Sequence, residues 1–176
     1  VERSDMILTE LMGYARLSEG RVEKIDMKEE LQGAIEEAFP PNHAFHIQLK
    51  KDLHEGLPPL MMQRAHLREI MVNLLVNARE AAGENGMVQV SCRPSPQYAI
   101  ELRVKDSGEG IPPDQREQIF EAYFTTKKKG TGLGLAIVKQ NTELYGGEIV
   151  VESELGVGTE FILTFPTRVL LQENES

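Results

Sequence analysis

The sequence predicts an α+β fold, and three observations predict it. Residues 62–82 and 133–146 carry apolar side chains at helical spacing. The runs MVQVSCRP (87–94) and YAIELRVK (98–105) alternate instead, the period of half-buried strands, and Pro94-Ser95-Pro96-Gln97 between them reads as a hairpin turn. A second strand pair, EIVVESE and GTEFILTFP, flanks the turn Leu155-Gly156-Val157-Gly158.

The elements follow in order. Residues 2–19 form a helix candidate closed by Gly20, with a stripe of Ile7, Leu8, Leu11, Tyr14 and Ala15. That stripe needs a partner. The expectation is half of a helical hairpin whose other half lies outside this sequence, or a dimer element; the alternative is a helix folded back on its own domain. RVEKIDM is a short extended run. A helix over Lys28–Phe39 follows, with Asp26 and Glu29 at capping-box spacing and Pro40-Pro41 as its stop. HIQLKKDL reads as a strand and GLPPLM as a turn. The helix 62–82 ends at Gly83, and its broad buried face is Leu67, Ile70, Met71, Leu74, Leu75 and Ala78. PDQREQIF (113–120) reads as a short helix with Pro113 just inside its start. The tail after residue 167 is expected to fray.

The 176 residues fit one domain with an appendage, and 40% hydrophobic content fits a globular protein. No apolar run approaches the roughly 20 residues that span a membrane, and the opening VERSDMILTE has no charged-then-apolar leader pattern. The single cysteine, Cys92, leaves no internal disulfide framework and points to a reducing, cytoplasmic compartment. A net charge of −9 argues against nucleic acid as a partner. Any phosphate site must be a local positive feature, and Lys127-Lys128-Lys129 is the run that qualifies.

Val104–Gly134 offers such a site. A strand ends at Asp106, followed by Gly108 and Gly110; a lysine-bearing segment then leads to Gly130-Thr131-Gly132-Leu133-Gly134, which opens a helix. A carboxylate at a strand end and backbone N–H groups at a helix start suit the two ends of a nucleotide. On helix 62–82, Glu69, Asn73 and Asn77 repeat every four residues and lie in one row. Asparagine is a poor helix-interior residue, so the row is expected to face a ligand; the alternative is a solvated seam.

Four segments in fixed order, ExxxNLLxNA (69–78), DSGEGI (106–111), IFEAYFTT (119–126) and GTGLGL (130–135), resemble the N box, first glycine box, F box and second glycine box of bacterial two-component sensor histidine kinases. The similarity covers residues 21–167 and is to their catalytic ATP-binding domain, in a superfamily with DNA gyrase, a class of heat-shock chaperones and MutL. Residues 1–20 resemble the second helix of the kinase dimerisation bundle, and 168–176 would be a flexible tail. The resemblance implies a two-layer α/β sandwich of the Bergerat type: a mixed, mostly antiparallel sheet with three helices on one face.

It also implies roles. Asp106 would accept a hydrogen bond from the adenine amino group, with Gly108, Gly110 and Ile111 beside the base and Thr159 near it. Asn77 would hold Mg²⁺ through its amide oxygen, and Asn73 would lie near the metal or phosphates. Glu69 is a further catalytic candidate one turn back. Lys127, Gly130, Thr131, Gly132, Leu133 and Gly134 would meet the triphosphate of ATP. The superfamily's ATPases place a glutamate base where Asn73 stands; an amide cannot take that role, which favours phosphoryl transfer over hydrolysis. Residues 112–131 would form a lid, with Phe120 and Phe124 as its anchors or as plain core residues.

The family's phosphoacceptor histidine has no counterpart among His43, His46, His54 and His66: His54 precedes Gly56-Leu57-Pro58-Pro59, and His66 lies within the N box. The implied activity is therefore transfer of the γ-phosphate of Mg·ATP to a histidine on a phosphoacceptor helix bundle, for relay to an aspartate of a response regulator receiver domain, with a homodimer in the full-length protein. Two alternatives stand beside it: a serine kinase of the same superfamily acting on an anti-sigma antagonist, and a nucleotide-sensing module without turnover.

Overall fold

The computed structural model describes residues 20–41, 46–96, 99–124 and 132–167. The helix expected over 2–19, the tail 168–176, and Lys127, Gly130 and Thr131 lie outside the described residues.

Strand β1 (Val22–Ile25) runs directly into helix α1 (Met27–Ala38). Asp26 caps that helix, its carboxylate accepting the N–H groups of Lys28 at 3.0 Å and Glu29 at 3.2 Å, so two of the unpaired donors at the helix start are satisfied. Leu31, Ala34, Ile35 and Ala38 face the core. The helix ends at Phe39, ahead of Pro40. Strand β2 (Gln48–Leu53) follows. Strand β3 (Leu60–Gln63) then occupies the end of GLPPLM, where a turn was expected, and pairs antiparallel with β1. Helix α2 (Arg64–Ala82) therefore starts at residue 64 rather than 62. Its predicted face is fully confirmed: Leu67, Ile70, Met71, Leu74, Leu75 and Ala78 are all at most 1% exposed. Gly83, at φ +67°, ends it, in a conformation that costs glycine little.

Strands β4 (Met87–Ser95) and β5 (Ala99–Asp106) form the expected hairpin, and β6 (Glu148–Glu154) pairs with β7 (Gly158–Pro166). The main sheet has the order β2-β4-β5-β7-β6; β2 runs parallel to β4 and every other pairing is antiparallel. Residues 113–120 form two separate 3₁₀ turns, Pro113–Gln115 and Gln118–Phe120, in place of the expected short helix. Helix α3 (Gly134–Leu144) completes the set. The predicted sandwich is thus present, with α1, α2 and α3 on one side of a mixed sheet.

Helix α2 lies between the other two and packs on β4 and β5. On its α1 side, the buried Glu30 carboxylate receives the guanidinium groups of Arg64 and Arg68, the latter at 3.0 Å. On its α3 side, the Tyr145 hydroxyl accepts the Gln63 N–H at 3.1 Å and lies 2.5 Å from His66 Nδ1. Both flanking helices are thereby fixed to the first turns of α2, and the register that results sets where its later turns lie against α3.

Candidate functional site

Asp106 ends β5 with 3% of its surface exposed. It stands in register with Val88 of β4 and Thr159 of β7, so its side chain shares the helix-facing side of the sheet with Thr159. Its Oδ1 accepts the Gly108 N–H at 2.8 Å, an Asx turn that fixes the carboxylate. The turn is compressed between two other elements. A Cβ on Gly108 would stand 2.5 Å from the Ala81 carbonyl oxygen at the end of α2, and one on Gly110 (φ +81°) 2.4 Å from the Glu154 carbonyl oxygen. Both glycines were expected on account of the base. In the structure, the neighbouring protein backbone already requires them.

Beyond the turn, the Ile111 N–H donates to Ser153 Oγ at 2.7 Å, and Ser153 Oγ lies 2.8 Å from Thr159 Oγ1 and 3.1 Å from the Gly158 carbonyl oxygen. An Arg116 guanidinium N–H donates to the Ser153 carbonyl oxygen. Sequence reading passed over Ser153 and Arg116. Ser153 did leave a signal: Ile149, Val151 and Ser153 occupy the inward side of β6, and a hydroxyl stands where the alternation calls for an apolar residue.

The row Glu69, Asn73 and Asn77 lies on the outer side of α2, each residue half-buried. The Asn73 amide donates to the Glu69 carbonyl oxygen at 2.8 Å. Its Oδ1 then points to the start of α3, 3.1 Å from the position a Cβ on Gly134 would take. The first turn of that helix carries no acidic residue, so no carboxylate of its own opposes an anion at its positive end. The geometry thus brings Asn73 and Gly134 together, while the glycine turn that follows Asp106 stands at the other end of α2, beside Ala81. A cavity of about 330 Å³ lined by Glu37, Ala65, Arg68, Glu69, Val72 and Asn73 shares Glu69 and Asn73 with the row but reaches neither glycine turn.

The chain between these two ends leaves through the 3₁₀ turns. Ile119 is buried, and Phe120 meets Phe161 edge-on with ring centroids 6.1 Å apart, under the Lys139 ammonium at 5.6 Å. The Tyr123 N–H donates to the Gly132 carbonyl oxygen at 3.0 Å and so joins the two ends of the segment 124–131. Phe120 and Phe124 both pack against the core.

His66 is fully buried, and desolvation holds its pKa below the ordinary value of 6.5; His46 and His54 are exposed on connecting segments. Burial, with a smaller contribution from Glu101, pushes the Cys92 thiol up to about 12. Among the described residues no group of three His, Cys, Asp or Glu side chains is placed to hold a metal. Among the described residues no helix is long and apolar enough to cross a membrane.

Residues 62–169 match the family described as histidine kinase-, DNA gyrase B- and HSP90-like ATPase. The chain is 32% identical over 168 residues to the sensor histidine kinase ZraS of Escherichia coli K12, covering 96% of this chain and 36% of ZraS. It is 30% identical over 176 residues to sporulation kinase E of Bacillus subtilis, covering all of this chain and 24% of that protein. The chain thus spans about a third or less of the length of these relatives. Among solved structures, the catalytic domain of histidine kinase ThkA superposes with a TM-score of 0.75 at 29% identity, over 84% of this chain and 96% of that one. Full-length ShkA in complex with AMPPNP superposes with a TM-score of 0.77 at 31% identity, over 94% of this chain and 36% of ShkA.

Proposed function

The chain belongs to the histidine kinase-, DNA gyrase B- and HSP90-like ATPase family, in which it corresponds to the ATP-binding catalytic domain of sensor histidine kinases; from that premise we propose a reaction for it. Residues 21–167 bind Mg·ATP and present its γ-phosphate to a histidine on a separate helix bundle. The phosphate then passes to an aspartate of a response regulator receiver domain. Residues 2–19 would supply the second helix of that bundle and a homodimer contact in the longer protein, and the domain would work in the cytoplasm.

The observation that carries this reading is the meeting of Asn73 with Gly134. Two segments far apart in sequence converge so that the Asn73 amide oxygen and a helix N-terminus share one space, with a buried carboxylate beyond the far end of α2. In that arrangement Asp106 accepts from the base amino group, Gly132, Leu133 and Gly134 lie where backbone N–H groups meet phosphate, and Asn77 offers an oxygen to magnesium. Lys127, Gly130 and Thr131 add contacts from the segment between. ATP supplies the activated phosphoryl group, and the protein's own contribution is position and charge compensation. An amide at residue 73 leaves hydrolysis without a nearby base from that position, which fits transfer to an external acceptor.

The test is a titration of this chain with a non-hydrolysable ATP analogue, with and without Mg²⁺, beside Asn77→Ala. Binding that magnesium tightens in the wild type but not in Asn77→Ala supports the site. A supplied acceptor bundle should then gain a phosphate that is lost in acid, as phosphohistidine is. An acid-stable product would make the chain a serine kinase instead, and no binding at millimolar analogue would remove the enzymatic reading.

A further inference from the structure

Ser153 lies one strand beyond Thr159, outside every segment that the motif comparison uses. In register across the sheet, Asp106 opposes Thr159 and Thr159 opposes Ser153, so three polar side chains form one row on a face that β5, β7 and β6 otherwise line with apolar residues. Resting on the nucleotide-binding reading above, we infer that Ser153 is a positioning residue that fixes the hydrogen-bond polarity of the Thr159 hydroxyl and thereby selects amino-substituted over oxo-substituted purines.

A serine hydroxyl has one proton and two lone pairs. One lone pair of Ser153 Oγ takes the Ile111 N–H at 2.7 Å. The Gly158 carbonyl at 3.1 Å can only accept, so it takes the Ser153 proton. The contact with Thr159 Oγ1 at 2.8 Å then completes the set only if Thr159 donates to the second lone pair. All three contacts are made at once in this arrangement and in no other. The Thr159 proton is thereby committed to Ser153, and only its lone pairs remain to meet a base.

Thr159 and Asp106 then form a pair of acceptors, 5% and 3% exposed. Two acceptors suit an exocyclic amino group, which carries two protons, directly or through a bridging water. A purine with a carbonyl at the same place brings a third acceptor against them, and a buried polar contact of that kind is strongly disfavoured. The same serine is tied to the lid segment, since its carbonyl oxygen accepts from Arg116, and its hydroxyl holds Ile111, the residue that follows the first glycine turn. Removing the hydroxyl frees the Thr159 proton to turn outward and donate to an oxo group.

The experiment compares affinities for non-hydrolysable analogues of ATP and inosine triphosphate in wild type, Ser153→Ala, Ser153→Thr, Thr159→Val and the double variant Ser153→Ala/Thr159→Val. The expected result is that Ser153→Ala lowers the preference for the adenine analogue by roughly fivefold or more, in part by improved inosine binding. Ser153→Thr should retain the preference, and Ser153→Ala should change nothing further in the Thr159→Val background. Equal weakening toward both analogues in Ser153→Ala would reduce the residue to a packing role and overturn the inference. An unchanged preference would overturn it too. If the wild type bound neither analogue, the nucleotide reading itself would fall, a result distinct from either of these.

Discussion

Asp106→Asn tests the base end of the site, because the substitution changes charge and proton direction with little change in shape. The wild-type carboxylate is held by the Gly108 N–H at 2.8 Å, and an asparagine Oδ1 can keep that bond, so the glycine turn should survive. The opposite corner of the side chain then becomes an N–H₂. An amino group on the base, which donated to a carboxylate oxygen, now faces another donor at a site 3% exposed. The lost hydrogen bond to a charged group is worth about 1.5–3 kcal/mol, and the buried unsatisfied donor costs about 1–3 kcal/mol more. The sum, about 2.5–6 kcal/mol, corresponds to a Kd raised by roughly two to four orders of magnitude. Isothermal titration with the non-hydrolysable ATP analogue reads this directly, and a thermal melt of the free protein checks that the turn is intact. The analogue built on unsubstituted purine riboside, which has no amino group, should bind wild type and variant with similar affinity. A loss of less than about threefold for the adenine analogue in a normally folded variant would refute the assignment of Asp106 to the base.

Three further outcomes follow from groups outside the site. Burial depresses the His66 pKa, so below about pH 6.5 the unfolded chain takes up a proton that the folded chain does not. Stability should therefore fall as pH drops from 7.5 to 5.5, with His66 contributing at most about 1.4 kcal/mol per pH unit; urea melts of His66→Gln should show a shallower fall, and an identical pH dependence would contradict the assignment. Cys92, buried with its pKa pushed up to about 12, should resist thiol reagents at pH 8 in the native state and react once denatured; rapid labelling of folded protein would contradict its placement. Glu30→Gln leaves Arg64 and Arg68 without their shared carboxylate and should cost about 1–3 kcal/mol in a denaturant melt, less than a fully buried pair because both arginines are partly solvated. An unchanged midpoint would mean that α1 is held by its apolar face alone.

The parts of the fold that were legible in the sequence are those whose cause is local. The buried face of α2 is periodic over about three turns, Asp26 caps α1 from the residue next to it, and Asp106 stands where an alternating run meets a glycine turn. The parts that were not legible depend on distant partners. Strand β3 is four residues long, follows Pro58-Pro59, and exists because Ile25 and its neighbours lie alongside it, so no period announces it. The double 3₁₀ turn at 113–120 satisfies the same hydrophobic anchors, Ile119 and Phe120, as a short helix would. At the site, the asparagine row was visible as a spacing, but its encounter with Gly134 is a product of helix packing. The roles of Ser153 and Tyr145 likewise come from register and from a neighbouring helix, neither of which is written in their own flanking residues.

The order of the main sheet leaves β2 and β6 as its two outer strands, and among the described residues neither has a second neighbour. An open strand edge is a template for another strand. The β2 edge carries Lys50 and Lys51 beside Asp52, whereas β6 carries Glu148, Glu152 and Glu154 with Val150 exposed among them. Two copies meeting β6 to β6 would set carboxylates against carboxylates, and two meeting β2 to β2 would bring lysines together. The charges thus oppose association through like edges and favour only the meeting of β2 with β6, an encounter that added salt should weaken. In a crowded solution of this chain, ionic strength would therefore govern which edge recognises which.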